Sequence, residues 1–226
     1  MDRHDLAYLH PAAELHFLDS TLPEPAKQKV YQLLQQSVPM TICRQDSIDA
    51  SQVKLAINCL VEGIKYRVAC LVDADEIQLT TRPLSLHTLL KESGQTHQEP
   101  SLSSFAEALL ALNCEVYVYG SYAYQYLTKE AYIRASSDLD LVLYPQDNSR
   151  LADILQLIQK TRLLSQIPLD GEIQIHPEWH VSFNELLMIY PDVQQSIIAK
   201  GIQRVDMLKL EQLLEWNLED ANCTEA

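Results

Sequence analysis

Two apolar runs, each joined to polar residues at one end, constrain this chain more than any other feature. The first, Val116-Tyr117-Val118-Tyr119, runs into Gly120-Ser121 and then a short helical pattern over Tyr122–Thr128. The second is Asp138-Leu139-Asp140-Leu141-Val142-Leu143. Both read as strands, and the second, expected from Asp138 to Tyr144, is apolar enough for a central position in a sheet. Residues two apart on a strand share a face, so Asp138 and Asp140 project together while Leu139 and Leu141 enter the core. Adjacent carboxylates repel each other, and holding them side by side makes sense mainly when a cation sits between them. Magnesium is the ion expected, because it is hard, takes oxygen ligands and commonly bridges carboxylates to substrate phosphates.

The Gly120-Ser121 step supplies a second half. A helix that starts there directs unpaired backbone N–H groups and a positive dipole end outward. Glycine admits a phosphate close to the backbone, and the Ser121 hydroxyl adds one more donor. Alone, a Gly-Ser is a turn, and Asp-x-Asp is common on exposed strands. Here both adjoin apolar strands, in this order, with one helix between them and 17 positions from Ser121 to Asp138. That combination points to nucleotidyl transfer, in which metal ions activate an attacking hydroxyl and stabilise departing pyrophosphate.

The rest of the chain divides into two regions. In the first, Pro23–Gln36 is a helical pattern with Val30, Leu33 and Leu34 on one face. Val53 to Cys59 and Ile64 to Val72 alternate as strands around Glu62-Gly63, which predicts a hairpin. Ser85 is placed to cap a short helix through Lys91. The stretch from Glu92 to Ser103 lacks periodicity and is the expected boundary, which divides the chain into domains 1–94 and 95–226. In the second region, Ser104 and Glu107 have capping-box spacing and predict a helix running to Leu112. Asn148–Leu164 reads as a long amphipathic helix, Leu169–Ile175 and Trp179–Phe183 as a strand pair, and Val205–Trp216 as a terminal helix. The fold class expected is α+β: a small N-terminal α+β domain, then a domain with a mixed sheet flanked by helices.

Charge narrows the partners. The net charge is −14, and from Gln95 onward 8 basic side chains face 19 acidic ones. Such a surface repels a polyphosphate backbone, so no nucleic-acid polymer is expected as partner. A small anionic substrate stays compatible if metal ions shield it. The five cysteines do not form a zinc-ligand pattern and read as reduced thiols. No apolar run approaches the ~18 residues of a membrane span, and the charged start Met1-Asp2-Arg3-His4-Asp5 does not read as a secretory signal. A cytoplasmic protein with no membrane partner is therefore expected.

The strand–Gly-Ser–helix and Asp-x-Asp segments resemble the nucleotidyltransferase superfamily that includes DNA polymerase beta and the aminoglycoside nucleotidyltransferases. In that superfamily a third carboxylate comes from a neighbouring strand. The matching candidates here lie in Leu169-Asp170-Gly171-Glu172, where Asp170 and Glu172 share a strand face, Asp170 being preferred. A closer resemblance covers nearly the whole chain. Arg3-His4-Asp5-Leu6, Val38-Pro39-Met40-Thr41-Ile42-Cys43-Arg44 and Arg82-Pro83-Leu84-Ser85-Leu86 are similar to the N-terminal domain of phosphoribosyl-dephospho-CoA transferases. Gly120-Ser121-Tyr122-Ala123-Tyr124, Ser136-Ser137-Asp138-Leu139-Asp140 and Leu169-Asp170-Gly171-Glu172 follow in that family's order.

The resemblance implies a polymerase-beta-like second domain. It also implies transfer of a prosthetic group from triphosphoribosyl-dephospho-CoA to a serine of the apo acyl-carrier subunit of malonate decarboxylase, with pyrophosphate released. Asp138 and Asp140 would bind Mg2+, and Asp170 would complete the site or help deprotonate the serine. Gly120 and Ser121 would hold the triphosphate, with Arg134 and Glu172 as further substrate contacts. The alternatives are nucleotidyl transfer to another protein or small-molecule hydroxyl, and a catalytically silent relative that binds a carrier or nucleotide.

Overall fold

Period-two burial builds the first part of the chain. In the computed structural model, which describes residues 1–46, 49–92 and 100–215, the chain divides into two units. The first comprises 1–83 together with 123–134 and 202–204. Its strands are β1 (Leu6–Leu9), β2 (His16–Phe17), β3 (Met40–Ile42), β4 (Gln52–Val61), β5 (Ile64–Asp73) and β6 (Ile77–Thr81), with helix α1 (Glu24–Gln35) between β2 and β3. They form a sheet in the order β2-β5-β4-β3-β1-β6 in which every pair is antiparallel. Val53, Leu55, Ile57 and Cys59 of β4 and Val68, Cys70 and Val72 of β5 bury the face that meets Val30, Leu33 and Leu34 of α1. This is the alternation expected of a half-covered antiparallel sheet. Tyr124 and Tyr132 belong to the same core, their hydroxyls donating to Ala56 O (3.3 Å) and Asn58 O (2.9 Å).

The second unit comprises 84–122, 135–201 and 205–226. Its elements are β7 (Leu84–Ser85), α2 (Leu86–Glu92), α3 (Pro100–Ala111), β8 (Cys114–Tyr119), the start of α4 (Gly120–Thr128), β9 (Leu139–Pro145), α5 (Leu151–Leu164), β10 (Leu169–His176), β11 (Trp179–Ser182), α6 (Phe183–Ile189), β12 (Ser196–Lys200), β13 (Val205–Lys209) and α7 (Leu210–Leu214). The sheet order is β13-β12-β11-β10-β9-β8-β7, and β9–β10 is its parallel pair, joined through α5 as a parallel connection requires. This is the mixed sheet expected, with α3 against β8 and α5, and α6 against β10 and β11. Leu139, Leu141, Val142 and Leu143 of β9 are all fully buried, as a central strand should be.

Several elements begin or end elsewhere than the pattern implied. Helix α3 starts at Pro100, four residues before Ser104, because proline suits a first helical position and the apolar face includes Leu102. Phe183 is not a strand residue: Ser182 Oγ accepts from Glu185 N at 3.5 Å and caps α6, a helix that the strand reading had absorbed. Val205–Lys209 is a strand rather than the first half of a terminal helix, since pairing of its backbone with β12 outweighs the helical spacing of its apolar residues. Trp216 and the expected domain boundary at 94/95 lie outside the described residues. No helix among the described residues is long and apolar enough to cross a membrane.

The β4–β5 turn offers a test. Glu62 sits at φ 51° and is followed by Gly63 at φ 78°, the backbone of a type I′ hairpin turn, which favours Asn in the first central place. Left-handed backbone disfavours an ordinary L-residue by ~1–2 kcal/mol. Glu62→Asn should therefore raise stability by about 0.5–1 kcal/mol, read as a higher thermal midpoint.

Candidate active site

Strand register brings the acidic residues together. In the antiparallel β8–β9 pair Tyr119 lies opposite Asp140, and in the parallel β9–β10 pair Asp140 lies opposite Asp170. Asp138 stands one residue before β9, whose start is tied down by Leu139 N donating to Pro168 O at 2.8 Å. One carboxylate oxygen from each of Asp138, Asp140 and Asp170 lies within 4.8 Å of the others, and all three side chains are half-buried. The donors are all hard oxygens, and octahedral Mg2+ sets opposite ligands about 4 Å apart, so the cluster fits a divalent cation of that class.

Two glycines make this spacing possible. Gly120 has φ 66°, and a Cβ built there would overlap Asp140 Oδ2 and lie 2.8 Å from Asp140 Cγ. Glycine at the start of α4 thus makes room for a carboxylate of this same chain. Gly171, at φ 150°, would drive a Cβ into Leu141 O and to 2.8 Å from Phe183 Cε1. It is what lets β10 lie flush against β9 between Asp170 and Glu172.

Asp170 is further constrained. Its Oδ1 accepts from Gly171 N at 2.8 Å and from Asn184 Nδ2, on α6, at 2.7 Å. Glu172 shares its strand face but not the cluster: buried, it accepts at Oε1 from Lys200 Nζ of β12 at 2.8 Å. Ser121 is half-buried in the first turn of α4. Arg134 is exposed and belongs to the first unit, with Nη2 3.5 Å from Gly63 O. In that unit Asp5 accepts from Arg82 Nη1 at 3.2 Å, joining two of the segments on which the family resemblance rests. Tyr124 is buried and within 3.1 Å of Thr41 Oγ1, which makes it a packing residue rather than a platform for a base. His180 packs edge-to-face on Tyr144 at 5.4 Å.

Sequence reasoning missed Asn184 and Lys200. The capping box Ser182-Phe183-Asn184-Glu185 would have placed α6, but nothing in the sequence aims Asn184 at Asp170, because that contact depends on how α6 folds back on β10.

A family profile described as phosphoribosyl-dephospho-CoA transferase MdcG C-terminal domain matches residues 85–211. The chain belongs to that family. The match covers Gly120, Ser121 and all three aspartates. The phosphoribosyl-dephospho-CoA transferase of Xanthomonas axonopodis pv. citri (strain 306) is 26% identical over 207 residues, 91% of this chain and 93% of the relative. That of Bradyrhizobium diazoefficiens is 25% identical over 212 residues, 94% and 92% respectively. No solved structure matches the chain.

Two outcomes follow for this family member. Gly120→Ala should cost more stability than the ~1–2 kcal/mol of a left-handed alanine, because Asp140 must also move, and should be read as a lower thermal midpoint. Asp138→Asn should instead stabilise the metal-free protein by about 1 kcal/mol, the interaction of two unit charges ~4 Å apart in water, with the gain shrinking as magnesium is added to the melt.

Proposed function

We propose that this chain transfers the 2′-(5″-phosphoribosyl)-3′-dephospho-CoA group from its triphosphate precursor to a serine of the apo acyl-carrier subunit of malonate decarboxylase. What supports this reading above all is the Asp138–Asp140–Asp170 cluster in a chain of the phosphoribosyl-dephospho-CoA transferase family. The serine oxygen forms a new bond to the α-phosphorus, the bond from that phosphorus to the bridging oxygen breaks, and the electron pair leaves with pyrophosphate.

Asp138 and Asp140 are the proposed ligands for Mg2+. When bound, the ion supplies charge neutralisation for the triphosphate and for the oxygen that departs. Asp170 completes the set or takes the serine proton. Gly120 and Ser121 present backbone N–H groups and a hydroxyl to the triphosphate. Glu172 is set apart from the ion, its carboxylate being engaged already with Lys200. A divalent cation also explains how so acidic a chain accepts a strongly anionic donor.

The test is the intact mass of the apo carrier after incubation with this protein, triphosphoribosyl-dephospho-CoA and magnesium. The expected gain is the donor less pyrophosphate. Asp138→Asn should slow it by about 10²–10³-fold, as when stabilisation of developing charge is lost, and ATP should serve poorly as donor. Absence of any gain with intact donor and folded carrier would falsify the assignment and favour another hydroxyl acceptor or a silent binding role.

A further inference from the structure

Both hydrogen bonds that Asp170 accepts fall on one oxygen, Oδ1. One donor, Gly171 N, is the next backbone amide and would be present with almost any neighbouring side chain. The other, Asn184 Nδ2, comes from 14 residues away on a different element. The orientation of the Asn184 amide is settled by its partner: a carboxylate only accepts, so the NH2 group must face Asp170. The consequence is a cost. Asn184 Oδ1 points the other way, where it is buried with no hydrogen-bond partner. An orphaned acceptor costs roughly 1–3 kcal/mol, which an apolar side chain of similar size would avoid. A buried group left unsatisfied in a native structure calls for a reason, and the bond to Asp170 is the reason visible.

The geometry of α6 makes Asn184 a firm support. Ser182 caps the helix, Phe183 is fully buried beside Gly171, and Leu186 is fully buried one turn on. Asn184 is therefore held between two anchors, on a helix that contacts the strand bearing Asp170. A carboxylate's own terminal torsion is soft and two-fold, so strand position alone does not set the plane of the Asp170 carboxylate. The amide does.

We infer that Asn184 is a positioning residue for the divalent-cation site: by holding Asp170 Oδ1 it presents the other oxygen, Oδ2, to an ion shared with Asp138 and Asp140. This rests on the reading of the three aspartates as a metal site, and it makes Asp170 an ion ligand rather than only a proton acceptor. Outer partners that orient ligands typically matter 10–100-fold to metal affinity or activity.

Binding of Mn2+ to the full chain without donor, followed by the EPR signal of free ion, tests this on wild type, Asp170→Asn, Asn184→Leu and Asn184→Gln. Asn184→Leu should bind Mn2+ about 10–100-fold more weakly, while its metal-free thermal midpoint stays level or rises because the orphaned oxygen is gone. Asn184→Gln, which keeps the amide donor, should recover most of the affinity. In turnover with saturating Mg2+, the leucine variant should regain much of its kcat, with the KM for donor little changed. If Asp170→Asn loses Mn2+ while Asn184→Leu binds as wild type does, the role of Asn184 is refuted and the metal site stands. If wild type and Asp170→Asn bind alike, the metal reading fails and takes this inference with it. A fall in midpoint for Asn184→Leu that parallels the affinity loss, unrescued by glutamine, would reduce Asn184 to a structural residue.

Discussion

Like charges held close raise the energy of any fold that holds them, and the second unit is arranged around that cost. Three carboxylates whose oxygens lie within 4.8 Å of one another do not assemble by attraction; they are carried there by backbone pairing. The parallel β9–β10 register sets Asp140 beside Asp170, and the buried run from Leu139 to Leu143 drives that pairing. Burying four large aliphatic side chains contributes roughly 1.5–3 kcal/mol apiece, enough to outweigh repulsion between half-solvated carboxylates. The apolar strand and the acidic cluster are therefore one device, with alternate residues supplying the stability and the chemistry.

The same logic explains the chain's use of glycine. It has only five, and two of them, Gly120 and Gly171, sit where a Cβ would strike Asp140 or the strand that carries it. A reading centred on phosphate would take Gly120 as an opening for substrate. The structure shows that its first service is internal, clearing space for Asp140, and both services can hold at once, since a helix N-terminus and a carboxylate cluster that share one glycine necessarily address the same small volume.

Legibility in the sequence followed the physics of each element. The β4–β5 hairpin, α1, β8, β9 and the β10–β11 pair could be read directly, because their burial alternates or runs continuously and such patterns survive tertiary context. The pairing of Asp138 with Asp140 needed only the two-residue period of a strand. Asp170 against Glu172 did not yield to periodicity, since both occupy the same face; the register with β9 and the Lys200 partner separate them. The terminal segment from Val205 reads locally as helix because Met207, Leu210 and Leu214 fall at i, i+3 and i+7, whereas the pairing of Val205–Lys209 with β12 is invisible to local pattern. Helix α6 was hidden behind an apolar strand-like run, although its capping box was present in the sequence.

Local sacrifices in this unit converge on one place. Mutual repulsion among three aspartates and an orphaned amide oxygen at Asn184 each raise the energy of the fold, and both lie at the cluster that Gly120 leaves room for. Proteins tend to break local rules at functional sites and to compensate elsewhere. Here the compensation is the continuous core of β9, β10 and α6, and a bound divalent cation would convert the largest of these costs, the carboxylate repulsion, into binding energy. A site so built should be more stable loaded than empty. Gly120, which leaves room for Asp140, and Asn184, committed to Asp170, set this cluster apart from acidic side chains that are merely close on a surface.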